Sequence, residues 1–324
     1  MSIEATPAGR RATAPARSGS PRALRHALLA TGTVVIACAV IAAMSALSYQ
    51  DATARLAPLT GRAIGQVTGG SGNNAEISWQ TSAGQRMHAI VAMAASAPPT
   101  GTRTEIAYDP SHPTDAIIPG AHLLADADQG RSGLFFAILV AALVLATDAL
   151  WLIRRARPHS RPAQTATVRR IRVQRRLVSR SWLETEPASG ARQRWIPVYY
   201  DPVLAELPAP VEVTLYGDPR RDRLIAVEVA GVLLHPAGRV TAREPLGRRT
   251  DSPSHPDGHA LAKARAAGIL RQLRVDAPLV VPAPLIGLFW AYLDQGGIAS
   301  WAGATALCAT LAIWFAALRG SDPT

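Results

Sequence analysis

The stretch ALLATGTVVIACAVIAAMSAL, Ala27 to Leu47, carries no charge. As a helix rising ~1.5 Å per residue it reaches ~31 Å, the depth of a bilayer's hydrocarbon core. A cleaved signal peptide has an apolar region of only about 7–15 residues, so this run reads as an uncleaved anchor. Three more apolar blocks follow. Gly133 to Ile153, GLFFAILVAALVLATDALWLI, is interrupted by one charge, Asp148. Pro278 to Leu293 is shorter and carries Pro282 and Pro284 in its first half, so a regular helix there begins late. Ile298 to Leu318 follows the polar turn Asp294-Gln295-Gly296-Gly297, and the last two blocks read as a helical hairpin. Ala302, Ala306 and Thr310 form a small-residue row on which another helix could pack closely.

Arginine placement orients these blocks. Lys263 is the only lysine in a chain of formal net charge +11. Arg10, Arg11, Arg17, Arg22 and Arg25 precede the first block; Arg154, Arg155, Arg157, Arg161, Arg169 and Arg170 follow the second. Between the two, the flanks offer only Arg55, Arg62 and Arg131. Positive flanks stay cytoplasmic. The expectation is a plasma-membrane, multi-pass protein with both termini cytoplasmic and residues 50–131 outside.

The polar segments alternate as strands do. Arg62–Thr68, Ala75–Gln80, Arg86–Met93 and Thr102–Tyr108, separated by Gly/Ser/Asn turns, predict a small β-domain within 50–131. Thr165–Val173, Trp195–Tyr200, Val211–Tyr216 and Leu224–Leu234 predict a second, basic one over 154–240. Ile225, Val227 and Val229 should share a face. Residues 241–258 read as a flexible linker and 259–276 as a basic amphipathic helix lying on the membrane surface, with residues 1–26 as a basic cytoplasmic tail. The fold class is therefore α+β: a membrane protein with four transmembrane helices (27–47, 133–153, 278–293, 298–318) and two small β-rich domains, one outside and one cytoplasmic.

The two polar parts share an ending. Tyr108-Asp109-Pro110 recurs as Tyr216-Gly217-Asp218-Pro219, and Gln85-Arg86 recurs as Gln193-Arg194 at the same offset. A duplicated helix-plus-β unit would account for this. A helix, a small β-domain ending in Tyr-Asp-Pro-x-x-Pro with a following alanine (Tyr108, Asp109, Pro110, Pro113, Ala116), and a second helix resembles a bacterial membrane family of unknown function, domain-of-unknown-function family 3592. The resemblance covers roughly residues 27–153 and implies a domain beside a membrane, with no activity attached. The rest of the chain resembles conserved actinobacterial multi-pass membrane proteins.

Chemistry is sparse. Cys38 and Cys308 both lie in apolar blocks, which argues against a disulfide framework. Asp109, His112 and Asp115, with His88 and His122, are metal-capable but match no ligand spacing, so a solvated turn is expected and no metal or other cofactor. No Gly-x-Ser-x-Gly, His-Glu-x-x-His, Walker or dinucleotide motif occurs, which favours a non-enzyme, whereas a deep outer pocket lined by His88, Asp109 and His112 would favour an enzyme. Arg154, Arg155, Arg157, Arg161, Arg169, Arg170, Arg172, Arg175, Arg176 and Arg180 form a run without a single acid. Such a run suits anionic lipid, at ~1 kcal/mol per arginine near the surface. Nucleic acid is not expected, because no binding motif accompanies the charge. Asp148 either reaches the headgroup level to pair with an arginine or serves a function inside the membrane. The expected role is an accessory or scaffolding protein of the cell envelope, whose partners are the lipid bilayer and membrane or envelope proteins. The alternative is a subunit of a transport or envelope-biogenesis complex in which Asp148 works.

Overall fold

The computed structural model describes residues 21–156, 160–186, 192–252 and 268–324, together with 258, 259, 262 and 266. The expected tail lies outside the described residues up to position 20, as do most of 253–267. The fold is mixed α+β. Residues up to Val35 with Val144–Thr324 form one compact unit, and Ile36–Leu143 form the other.

Two long helices run through both units. α1 spans Pro21–Leu56 and α2 spans His122–Ala156. At ~1.5 Å per residue each exceeds ~50 Å, so regular helix continues well past the apolar blocks at its centre. Glycine and proline are absent from the polar extension Tyr49–Leu56, so nothing there stops the helix.

The smaller unit holds a five-stranded antiparallel sheet. Its strands are β1 (Gly61–Ser71), β2 (Asn74–Gln80), β3 (Arg86–Ala92), β4 (Arg103–Tyr108) and β5 (Ala116–Ile117), in the order β3-β2-β1-β4-β5. All four expected strands are present within a few residues. One face packs Val67, Ala75, Ile77, Trp79, Val91, Ile106 and Tyr108. The alternate positions, such as Ile64 and Ile90, stay exposed.

The larger unit holds the second sheet: β6 (Ala163–Arg175), β7 (Val178–Thr185), β8 (Trp195–Val198), β9 (Val211–Tyr216), β10 (Ala226–Val229), β11 (Val232–Leu234) and β12 (Arg248–Asp251). Its order is β11-β10-β9-β6-β7-β8, with β12 paired to the far end of β6. Ile225, Val227 and Val229 are buried together, as their alternation requires. The sheet is covered on both sides. Val168, Leu183 and Ile196 join one cluster, and Ile171, Trp182 and Trp195, one position out of phase, join another.

The two sheets share a plan. β3-β2-β1-β4 after α1 matches β8-β7-β6-β9 after α2, antiparallel throughout. In the first sheet Gly61, opening β1, pairs with Tyr108 closing β4. In the second, Ala163, opening β6, pairs with Tyr216 closing β9.

The stretch expected as a linker is partly folded. β12 lies in it, and Arg249 forks onto Glu184 at 2.7 and 3.2 Å while reaching Asp251 and Glu244. The segment has no apolar periodicity because backbone pairing and this ion-pair network hold it. α3 (Ile269–Asp276) is the second half of the expected amphipathic helix. Its inward side is polar: Gln272 and Asp276 are buried, whereas Leu270 and Leu273 face out.

α4 covers only Ala283–Asp294, with Pro284 in its first turn, and is bent 51° from the helical stretch before it. At ~18 Å it is too short to span alone. Gln295, at φ 52°, turns the chain into α5 (Gly297–Arg319). α4 and α5 meet where a Cβ on Gly287 would stand 2.9 Å from the Trp301 carbonyl and 2.2 Å from Thr305 Oγ1. The expected row on α5 is not the contact, since Ala302 and Ala306 are exposed. The glycine on α4 leaves room for the α5 backbone at this point. Among the described residues, three helices are long and apolar enough to cross a membrane: Arg22–Leu56, His122–Arg155 and Gly297–Arg319.

Candidate functional site

Asp148 does not reach an arginine. Thr31 Oγ1 on α1 donates to its Oδ2 at 2.5 Å, and Trp314 Nε1 on α5 donates to its Oδ1 at 3.1 Å. Thr31 is buried and its hydroxyl also lies 2.9 Å from the Ala27 carbonyl. One carboxylate on α2 thus collects a donor from each of two other helices. An acceptor placed among apolar segments and satisfied in this way acts as a directional tie between helices.

The ten arginines do not form one lipid-facing surface. Arg154, Arg169, Arg175 and Arg176 are exposed. Arg157 lies outside the described residues. Arg161 pairs with Asp222 at 3.2 Å and donates to the Leu224 carbonyl. Arg172 donates to Ser179 Oγ at 3.2 Å, and Arg180 to the Ala237 carbonyl at 2.7 Å. Arg170 is buried. It donates to the Leu204 carbonyl and to Thr324 Oγ1, and meets Asp322 at 3.0 Å. The alternation of β6 explains the split, because successive arginines on a strand point to opposite faces.

Asp322 makes the chain's last segment part of this sheet. Its N–H donates to the Ser179 carbonyl, Ser181 Oγ donates to its Oδ2 at 2.6 Å, and the carboxylate is fully buried against Arg170. Burial alone would lift this carboxyl. Arg170 and the hydrogen bonds from Ser181 and Thr324 hold it below the usual carboxylate range. The neighbouring Ser321 hydroxyl and Asp276 share the amide of Gln272, and His26 of α1 lies 3.6 Å from Asp276.

Beside this latch, Arg155 closes α2 in an aromatic clamp. Its Cζ lies 3.6 Å from the centre of the Trp151 ring and 3.8 Å from that of Tyr199, whose rings meet edge to face. Trp151 Nε1 donates to the Tyr199 hydroxyl at 2.5 Å, and that hydroxyl donates to the Leu318 carbonyl at the end of α5. Burial pushes the Tyr199 hydroxyl up, against the pull of Arg155 and Arg180. Burial likewise lowers Arg180, with Arg319 adding like-charge repulsion. Arg155 Nε and Nη2 and Arg180 Nε are buried without a hydrogen-bond partner. The sequence showed Arg155 as one arginine in a run. Nothing in it announced Tyr199 or Arg319 as neighbours, because they come from the residue just after β8 and from the end of α5.

In the first sheet's closing turn, Asp109 Oδ1 accepts from the Ser111 N–H at 2.7 Å, and His112 Nδ1 lies 3.4 Å from Oδ2. The same turn recurs wherever Asp-Pro stands: Asp201 accepts from Val203, Asp218 from Arg220 and Asp322 from Thr324. The aspartate's oxygen replaces a backbone acceptor while proline, without an N–H, leaves the strand. An open groove on this sheet is lined by Arg62, Ala63, Ile64, Arg103, Thr104 and Glu105, and not by His88, Asp109 or His112. Among the described residues no cluster of His, Cys, Asp and Glu is arranged to hold a metal ion. No protein-family model matches the chain, and neither a curated protein nor a solved structure does so.

Proposed function

We propose that this chain is an integral membrane scaffold built from a duplicated helix-plus-sheet unit. Its first sheet lies outside the cytoplasmic membrane, and its second sheet and both termini lie inside. The observation that carries the scaffold reading is the use made of Asp148: both oxygens accept hydrogen bonds from other helices, so its chemistry goes into assembly. Leu28, Ile36, Val40, Met44, Phe135, Ile138 and Leu143 stand exposed along α1 and α2, as surfaces solvated by lipid do. The bent α3–α4 stretch supplies the fourth apolar crossing or a re-entrant segment. The outward leucines of α3 suit a helix at the headgroup level, where the exposed Arg154 can meet anionic lipid. The shared strand order and Tyr108/Tyr216 register support the duplication.

The alternative, a transport subunit working through Asp148, is tested by Asp148→Asn in native membranes. A scaffold keeps its copurifying partners at normal expression, while helix association weakens by about 0.6 to 1.7 kcal/mol. A double-mutant cycle with Thr31→Ala reads that coupling. Loss of a solute or proton flux at intact expression and unchanged partner capture would overturn the scaffold reading.

A further inference from the structure

Around the Arg155 clamp stand cations that no carboxylate among the described residues pairs with: none of the ion pairs there involves Arg155, Arg180 or Arg319. Arg155 and Arg180 meet at Tyr199, and Arg319 ends the helix that this tyrosine holds. Tyr199 stacks on Arg155 and its hydroxyl bonds the Leu318 carbonyl next to Arg319; Arg180 bridges Ser321, two residues past Arg319, whose guanidinium lies over Phe315 at 4.4 Å. Arg155 is 7 % exposed, yet two of its guanidinium nitrogens lack partners. Two aromatic faces offset only part of the cost of burying a cation, and they leave its N–H edge unsatisfied. Arg319 is exposed, so the group opens to the surroundings at the end of α5. A tetrahedral oxyanion with several acceptor oxygens fits such a set of planar forks better than a single carboxylate.

We infer that Arg155, Arg180 and Arg319, organised by Trp151 and Tyr199, bind a phosphate group at the ends of α2 and α5, supplied by an anionic lipid headgroup. This rests on the membrane reading above and narrows it from a ten-arginine run to one site. Arg170 and Arg161 are excluded because Asp322 and Asp222 already hold them.

Full-length protein in phosphatidylcholine nanodiscs containing a minority of phosphatidylglycerol tests this, by quantifying the phosphatidylglycerol retained after extraction. Arg155→Met and Arg319→Gln should each reduce its enrichment about fivefold. Arg319→Gln decides the matter if Arg155→Met fails to fold, since Arg319 is exposed and its guanidinium lies over Phe315. Inorganic phosphate distinguishes the sources. Displacement of the lipid by millimolar phosphate, abolished in Arg319→Gln, supports the same site with free phosphate as its ligand; no displacement supports the headgroup. Enrichment unchanged in folded Arg319→Gln but lost in Arg169→Gln/Arg175→Gln/Arg176→Gln overturns this site while sparing the lipid reading. Equal retention of both lipids by the parent protein, with no effect of phosphate, sinks both.

Discussion

Asp322 and Arg170 are far apart in sequence and form a buried pair at 3.0 Å. Removing one member of such a pair leaves the other as an uncompensated buried charge. Arg170→Met should therefore cost about 3–5 kcal/mol, read as a fall in melting temperature in detergent. The sign of the pH dependence follows from the depressed Asp322 carboxyl. Its contribution is fully present above the unfolded value of ~3.9 and is lost as pH falls through the lower folded value. Asp322→Asn should lower stability at neutral pH and flatten its decline below about pH 4; an unchanged acid decline would remove the pair from the account. Gly320 prepares this contact. It ends α5 at φ 70°, and a Cβ there would come 2.8 Å from the Tyr199 ring, so both the turn and the approach require glycine.

At the level of elements, strands were legible where alternation and turn residues coincided. β1–β4 and β9 follow their sequence pattern closely. β7 escaped because its alternate positions, Ser179 and Ser181, are polar and buried, each bonded to Asp322. β12 escaped because Arg248, Arg249, Thr250 and Asp251 carry no apolar signal at all. Helix contacts were the hardest to read. The small-residue row on α5 was a plausible packing surface, but the approach is set by Gly287 on α4. Gly287→Leu should overpack the α4–α5 contact and cost about 1–3 kcal/mol, whereas Ala302→Leu, on the exposed side, should stay within about 0.5 kcal/mol. Thermal unfolding of both variants in one detergent compares them directly, and equal destabilisation would return the contact to the row. The clamp at Arg155 belongs to the same class of hidden feature, since a run of arginines states charge but not which of them a distant tyrosine will cover.

At the scale of the molecule, duplication and sidedness are one question. Each proposed unit contributes one long apolar helix before its sheet, so under the proposal the single helix α2 between the sheets would put them on opposite sides. Arginine counts reach the same arrangement by a separate route, because Arg154 and Arg155 flank α2 on the side of the second sheet. Single cysteines decide it. Thr100→Cys, exposed in the loop before β4, should react with a membrane-impermeant maleimide in intact cells. Leu177→Cys, exposed in the β6–β7 turn, should react only after permeabilisation. Cys38 and Cys308 lie within α1 and α5, and the parent protein measures their background. Labelling of both positions from outside would mean that α2 does not cross, leaving its exposed phenylalanines and leucines without a hydrocarbon environment. The reverse pattern would keep the crossings but invert the arginine rule, and Arg155, Arg180 and Arg319 would then face the leaflet opposite the one proposed to supply their phosphate.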